Sequence, residues 1–119
     1  ILSKMKILTI FGTRPEYIRL NILINKLDKT LGRKNHILVD TQQNYDKSLR
    51  DYFYYNFKIR KPDFFLNAKG TFAKQISIIF ENLEKIILKI KPDKFLVLGD
   101  TNSSTAAFIA KRLGVEVFH

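Results

Sequence analysis

Lys6-Ile7-Leu8-Thr9-Ile10-Phe11-Gly12-Thr13-Arg14-Pro15-Glu16 is an apolar run that stops at a glycine and turns polar. Its first six residues are mostly apolar or β-branched and do not alternate, the pattern of a strand covered on both faces, as parallel strands are. Directly behind the polar stretch, Leu20, Leu23, Ile24, Leu27 and Leu31 recur with the spacing of an apolar helix stripe. Pro15 suits the first turn of that helix, where its missing amide hydrogen costs nothing, and Gly32 can close it. A strand, a tight polar loop and an amphipathic helix form the opening unit of a doubly wound fold.

The remaining chain repeats the unit. His36 to Asp40 reads as a second strand leading into the polar loop Thr41-Gln42-Gln43-Asn44. A helix is expected from Tyr45 to about Phe53, with the aromatic cluster Tyr52 to Tyr55 packing beneath the long helix that follows. Ile59 to Asn67 reads as a connection containing at most a short strand, because Pro62 lacks a ladder donor. Phe72, Ile76, Ile79, Phe80, Leu83, Ile87 and Ile90 mark that long helix, from about Thr71 to Lys89. Lys94 to Leu98 is the strongest strand. Gly99 to Ser104 then feeds a helix carrying Ala106, Ala107, Ile109, Ala110 and Leu113, Gly114 stops it, and Val115 begins another strand. Strands alternating with helices predict an α/β domain with a parallel sheet and right-handed crossovers.

Composition narrows the chemistry. The chain has 119 residues, enough for one core, and no cysteine, which removes thiol catalysis and cysteine-held zinc or iron–sulfur centres. Two histidines without an HExxH pattern argue against a catalytic metal. No segment approaches the roughly 20 apolar residues of a membrane span, and the first residues lack a leader-like apolar run, so a cytoplasmic protein with no membrane partner is expected. Met5 is internal, so Ile1 to Lys4 are expected to be either residues added to the natural sequence or an extension upstream of the true start. The net charge of +10 attracts phosphates, but the cations are dispersed and form no basic arm, so no nucleic-acid partner is expected. GxGxxG, GxxxxGK[ST] and GxSxG are all missing, which argues against dinucleotide dehydrogenase, P-loop and serine-hydrolase chemistry.

Three polar segments follow strands directly, where open α/β sheets bind their ligands. In the first, Gly12 permits a tight turn and close ligand approach, and the fork of Arg14 can hold two oxygens of a diphosphate or carboxylate. Glu16 either complements the helix dipole or takes part in the site. In the second, the amides of Gln42, Gln43 and Asn44 suit hydroxyls, an acetamido group or a base edge, while Asn44 also makes a good helix N-cap. In the third, Asp100 stands where an acid or base would be placed, or else caps the following helix. Thr101, Asn102, Ser103 and Ser104 offer hydroxyls and an amide for an anion or sugar.

Together, Phe11-Gly12-Thr13-Arg14-Pro15-Glu16, Thr41-Gln42-Gln43-Asn44-Tyr45-Asp46 and Leu98-Gly99-Asp100-Thr101-Asn102-Ser103 resemble the amino-terminal domain of the non-hydrolysing bacterial UDP-N-acetylglucosamine 2-epimerases. The resemblance spans nearly the whole chain. It implies the Rossmann-like half of a glycosyltransferase-B-like fold, with residues 1–119 as the amino-terminal domain, ending before a second nucleotide-sugar-binding domain. It also implies inversion at carbon 2 by anti-elimination of UDP and re-addition through 2-acetamidoglucal, with no cofactor and no catalytic metal. Carried onto this sequence, Arg14 lies near the diphosphate, Arg19 near the active site, and Gln43 in the cleft. Gly12, Thr13, Thr101 and Asn102 belong to the substrate-binding motifs, Asp100 is the catalytic-site carboxylate, and Pro15, Glu16 and Asn44 order or cap loops. The partners implied are a UDP-amino-sugar substrate and a second copy in a homodimer of the full-length protein, serving capsule or O-antigen synthesis. Residues 1–119 alone are expected to have negligible activity.

Two alternatives stand beside this expectation. Asn44-Tyr45-Asp46, where the commonest family form has histidine after the glutamine, resembles relatives that handle 6-deoxy UDP sugars on the route to UDP-N-acetyl-L-fucosamine. Gln42 departs from the glycine common at that position. A noncatalytic nucleotide-binding remnant or partner-binding module is the other alternative, suggested by a chain that stops at His119 directly after a strand.

Overall fold

The computed structural model describes residues 5–11, 17–41, 60–98 and 101–118, with backbone alone for 17–20 and 101–104. It contains β1 (Ile7–Phe11), α1 (Tyr17–Leu31), β2 (His36–Asp40), β3 (Phe64–Phe65), α2 (Phe72–Ile90), β4 (Lys94–Leu98), α3 (Thr101–Arg112) and β5 (Glu116–Phe118). A single 3-10 turn at Arg33–Asn35, absent from the sequence expectations, joins α1 to β2. The expected helix from Tyr45 to Phe53 and the aromatic residues Tyr52 to Tyr55 lie outside the described residues.

All described strands run parallel in one sheet of order β3-β2-β1-β4-β5. β1 is central, and its side chains alternate between two separate apolar clusters, as the pleat of a strand requires. Leu8 and Ile10 join Val39, Phe95 and Val97 beneath α2 and α3, while Phe11 joins Leu38 and Leu98 against Ile24 of α1. Helices on both faces make the sheet doubly wound, as the unbroken apolar strands predict.

Local chemistry explains the element boundaries. Thr71 caps α2, its side chain accepting from the Lys74 amide at 3.2 Å. Ile79, Leu83, Ile86 and Ile87 form its buried stripe, whereas Phe72 at its start is exposed. The helix ends with Lys91 in the left-handed region at φ 55, and Pro92 follows. Gly32 and Gly114 close α1 and α3 at φ 84 and 82, a backbone state that L side chains adopt only with strain. On α3, Ala106, Ala107 and Ala110 are buried, and their small side chains let the helix lie close to the sheet. The Phe108 ring stacks on Phe80 of α2 with centroids 6.2 Å apart. The short β3 agrees with the reading of Ile59 to Asn67: Pro62 stays off the ladder, while Asp63 donates its amide to Leu38 O at 2.8 Å and accepts from Leu38 N at 2.9 Å.

A buried polar cluster ties the start of β2 to α1 and to the approach of β3. His36 and Thr9 are fully buried. The carboxylate of Asp28 can only accept, so His36 Nδ1–H donates to it at 2.8 Å, leaving Nε2 to accept from the Thr9 hydroxyl at 2.8 Å. Arg60 donates to both Asp28 oxygens at 2.9 and 3.2 Å, to Asp63 at 3.1 Å and to the His36 carbonyl at 2.9 Å. Burial pushes the His36 pKa below its ordinary 6.5, outweighing the opposing pull of Asp28. Burial would raise Asp28, but hydrogen bonds from Arg60 and His36 prevail and hold it below 3.8. Burial likewise opposes the charged form of Arg60, yet Asp28 and Asp63 raise its pKa above the ordinary guanidinium value. The order acid, imidazole, hydroxyl is that of a nucleophilic triad, but the cluster is built at the start of β2, away from the carboxyl ends where parallel sheets bind their ligands, and the Thr9 hydroxyl is already paired with His36, so the cluster is structural.

Because the His36 pKa is depressed by folding, an unfolded chain takes up a proton below pH 6.5 that the native chain refuses. Stability is therefore full above that value and falls as pH drops through it, with Asp28 adding loss in the same direction below its ordinary 3.8. Urea unfolding of the full-length protein should show a lower midpoint about one pH unit below 6.5 than above it. In His36→Asn the overall stability should fall by about 1–3 kcal/mol, with a flatter pH dependence over that range. An unchanged slope in the variant would contradict this assignment.

Candidate functional site

Parallel strands in register end at the same rim. Phe11, the last residue of β1, is the register partner of Asp40 in β2 and of Leu98 in β4. Adjacent strands lie about 5 Å apart, so the chain leaves the sheet at three neighbouring points. The first two exits are joined directly, since the Thr41 amide donates to Phe11 O at 3.0 Å. β1 connects outward to β2 on one side, and β4 connects to β5 on the other, so the strand order reverses between β1 and β4. Such a switch point opens a crevice at the carboxyl ends of the strands.

The same rim receives two helix starts. α1 begins at Tyr17, six positions after Phe11, and α3 begins at Thr101, three positions after Leu98. The amino ends of helices present unpaired amide hydrogens and a partial positive charge, which favour an anion.

Gly12, Thr13, Arg14, Pro15 and Glu16 belong to the segment leaving β1, and Gln43 and Asn44 to the segment leaving β2. Asp100 belongs to the segment leaving β4. These residues lie outside the described ones, as do the side chains of Arg19, Thr101 and Asn102, whose backbones fall in the first turns of α1 and α3. The structure therefore brings together the strand ends and helix starts from which these residues depart. It does not extend to the side chains themselves.

Two polar residues at the rim were given no role in the sequence reading. Asp40 and Thr41 are both fully buried at the end of β2. The Thr41 hydroxyl has no hydrogen-bond partner among the described residues. The signal available was slight: a polar pair where the strand turns into its loop.

A groove of about 390 Å³ runs elsewhere, between β3 and α2, lined by Phe64, Asn67, Asn82, Lys85, Ile86 and Lys89. Among the described residues, none at the ends of β1, β2 and β4 contributes to it. Among the described residues no group of three His, Asp or Glu side chains is placed to hold a metal ion, and no described helix is long and apolar enough to cross a membrane.

A family model described as UDP-N-acetylglucosamine 2-epimerase matches residues 27–119. A UDP-N-acetylglucosamine 2-epimerase of Methanococcus maripaludis is 37% identical over 116 residues, covering 96% of this chain and 31% of its own length. A UDP-2,3-diacetamido-2,3-dideoxy-D-glucuronate 2-epimerase of Pseudomonas aeruginosa is 37% identical over 119 residues, covering 97% of this chain and 33% of its own. Among solved structures, the Methanocaldococcus jannaschii UDP-GlcNAc 2-epimerase in complex with UDP-GlcNAc and UDP superposes with a TM-score of 0.84 at 36% identity, covering 97% of this chain and 32% of that one. The chain thus spans about a third of the length of these relatives.

Proposed function

We propose a function on one premise: this chain belongs to the UDP-N-acetylglucosamine 2-epimerase family. The whole protein interconverts UDP-N-acetylglucosamine and UDP-N-acetylmannosamine. The observation that carries this reading is the register of β2, β1 and β4, which sets side by side the three strand ends from which the motif-bearing segments depart.

The chemistry needs two things at once. A base removes the proton from carbon 2 while the bond from carbon 1 to the diphosphate oxygen breaks, and the released electron pair forms the double bond of 2-acetamidoglucal. UDP then adds back to carbon 1 as a proton returns to carbon 2 from the opposite face. The carbon-bound proton is a weak acid, so the step depends on stabilising charge that grows on the departing diphosphate. The guanidinium of Arg14 and the amino ends of α1 and α3 supply that stabilisation, with Arg19, Gly12 and Thr13 in the same motif. Asp100 holds the carboxylate that handles the proton, and Gln43 binds the acetamido group or a sugar hydroxyl, with Thr101 and Asn102 beside it. Pro15, Glu16 and Asn44 keep their loop-ordering roles. Holding both reacting ends in one frame removes the entropy cost of bringing them together.

In this reading residues 1–119 form the Rossmann-like amino-terminal half of a glycosyltransferase-B-like protein, and a second domain completes the nucleotide-sugar cleft. The full-length protein works as a homodimer in the cytoplasm, in capsule or O-antigen synthesis. A second reading keeps the chemistry and changes the sugar. Asn44-Tyr45-Asp46 favours a 6-deoxy substrate, with UDP-N-acetyl-L-fucosamine as product, and the diacetamido-glucuronate specificity of the Pseudomonas relative supports variation in substrate among close relatives.

Three measurements on full-length protein test this reading. In deuterium oxide, UDP-N-acetylglucosamine should acquire solvent deuterium at carbon 2 as its epimer forms, and turnover without exchange would exclude the elimination route. Asp100→Asn should lower kcat by about 10²- to 10⁴-fold and leave UDP affinity nearly intact; unchanged turnover would remove Asp100 from the chemistry. Arg14→Ala should weaken UDP binding by about tenfold or more in calorimetry, and an unaltered dissociation constant would refute its diphosphate role.

A further inference from the structure

Thr41 stands at the junction of two motif-bearing segments, and its backbone is fully engaged. Its amide donates to Phe11 O at 3.0 Å and its carbonyl accepts from the Ala68 amide at 2.9 Å. The residue is thus pinned between the end of β1 and the stretch that follows β3, two residues before Gln43. Its side chain is in the opposite condition: completely buried, with a hydroxyl that meets no hydrogen-bond partner among the described residues.

A hydroxyl has one hydrogen to donate and two lone pairs to offer. Leaving it buried and unpaired carries a penalty of roughly tenfold in an equilibrium constant. Valine has nearly the same shape, suits a strand end and would avoid the penalty. The contrast with Thr9 is informative, because that equally buried threonine pairs its hydroxyl with His36 at 2.8 Å. Among the described residues, the buried threonine hydroxyl away from the rim is satisfied and the one at the rim is not.

We propose that Thr41 is a positioning residue for a nucleotide sugar: binding at the rim brings a polar group within hydrogen-bond distance of the Thr41 hydroxyl, and the bond so formed contributes to affinity. The penalty present before binding is released by binding, so the hydroxyl acts on the bound state while the backbone clamp to Phe11 keeps the start of the Gln43 segment in place. Because the bond forms with both epimers and with the intermediate, it affects binding uniformly and leaves the chemical step alone. This inference rests on the reading that the rim binds a UDP sugar.

The test compares wild type, Thr41→Val and Thr41→Ser as full-length proteins. It measures the dissociation constant for UDP, KM and kcat for UDP-N-acetylglucosamine, and thermal unfolding without ligand. Thr41→Val should unfold at or above the wild-type temperature, bind UDP or the UDP sugar about fivefold to tenfold more weakly, and keep kcat within about twofold. Thr41→Ser, which restores the hydroxyl, should recover most of the affinity. Wild-type affinity in Thr41→Val for both ligands would overturn the proposal. So would a lower unfolding temperature in Thr41→Val with affinity unchanged, since the hydroxyl would then have a permanent partner such as a structural water. If wild type binds UDP without epimerising, the proposed function fails while the UDP affinities still decide the role of Thr41. If it binds neither ligand, both fall.

Discussion

The parallel register around β1 is the constraint on which the rest of the molecule depends. With Phe11 between Asp40 and Leu98, the strands point the same way and end level with one another. Parallel strands cannot be joined by tight turns, so each must return by a crossover, and every segment leaving a carboxyl end starts from the same rim. The two-sided burial of β1 fixes this register, because a shift by one residue would exchange Leu8 and Ile10 with Thr9 and Phe11 between the two faces.

The two ends of the sheet are built differently. Toward the amino end, Asp28, His36, Thr9, Arg60 and Asp63 form a closed network whose charges are paired and whose imidazole stays neutral. Removing Asp28 would take from the buried His36 ring and from Arg60 the acceptor they share, so the network holds α1, β2 and the approach to β3 in one arrangement. At the carboxyl end the main chain is equally well anchored, through Thr41 and Ala68, but the Thr41 hydroxyl has no partner among the described residues. A scaffold rigid at one end and retaining unpaired polar capacity at the other suits a molecule that grips a charged ligand at its rim.

Much of this architecture was legible in the residues. The uninterrupted apolar runs of β1 and β4 signalled strands covered on both faces, the helical stripes located α1 and α2, and Gly32 and Gly114 marked helix ends that adopt positive φ. Pro62 correctly limited its segment to a short strand. The polar cluster was not legible as a cluster, because it joins residues 24 to 32 positions apart: Arg60 with His36 and with Asp28. One local clue existed, since Asp28 falls four residues after Ile24 on the apolar stripe of α1, where an unpaired acid would be costly. For the candidate site, residue types and loops could be read from the sequence, but their neighbourhood at one rim depends on strand order, which no local pattern encodes.

The central claim is that the segments leaving β1, β2 and β4 jointly hold a UDP sugar at the switch point. A crystal structure of the full-length protein with bound UDP tests it most directly. The account predicts the diphosphate between the carboxyl ends of β1 and β4, with the Arg14 guanidinium on its oxygens and the Asp100 carboxylate facing the space beyond its terminal phosphate. A diphosphate seated in the groove between β3 and α2, or Arg14 and Asp100 turned to opposite sides of the rim, would contradict it.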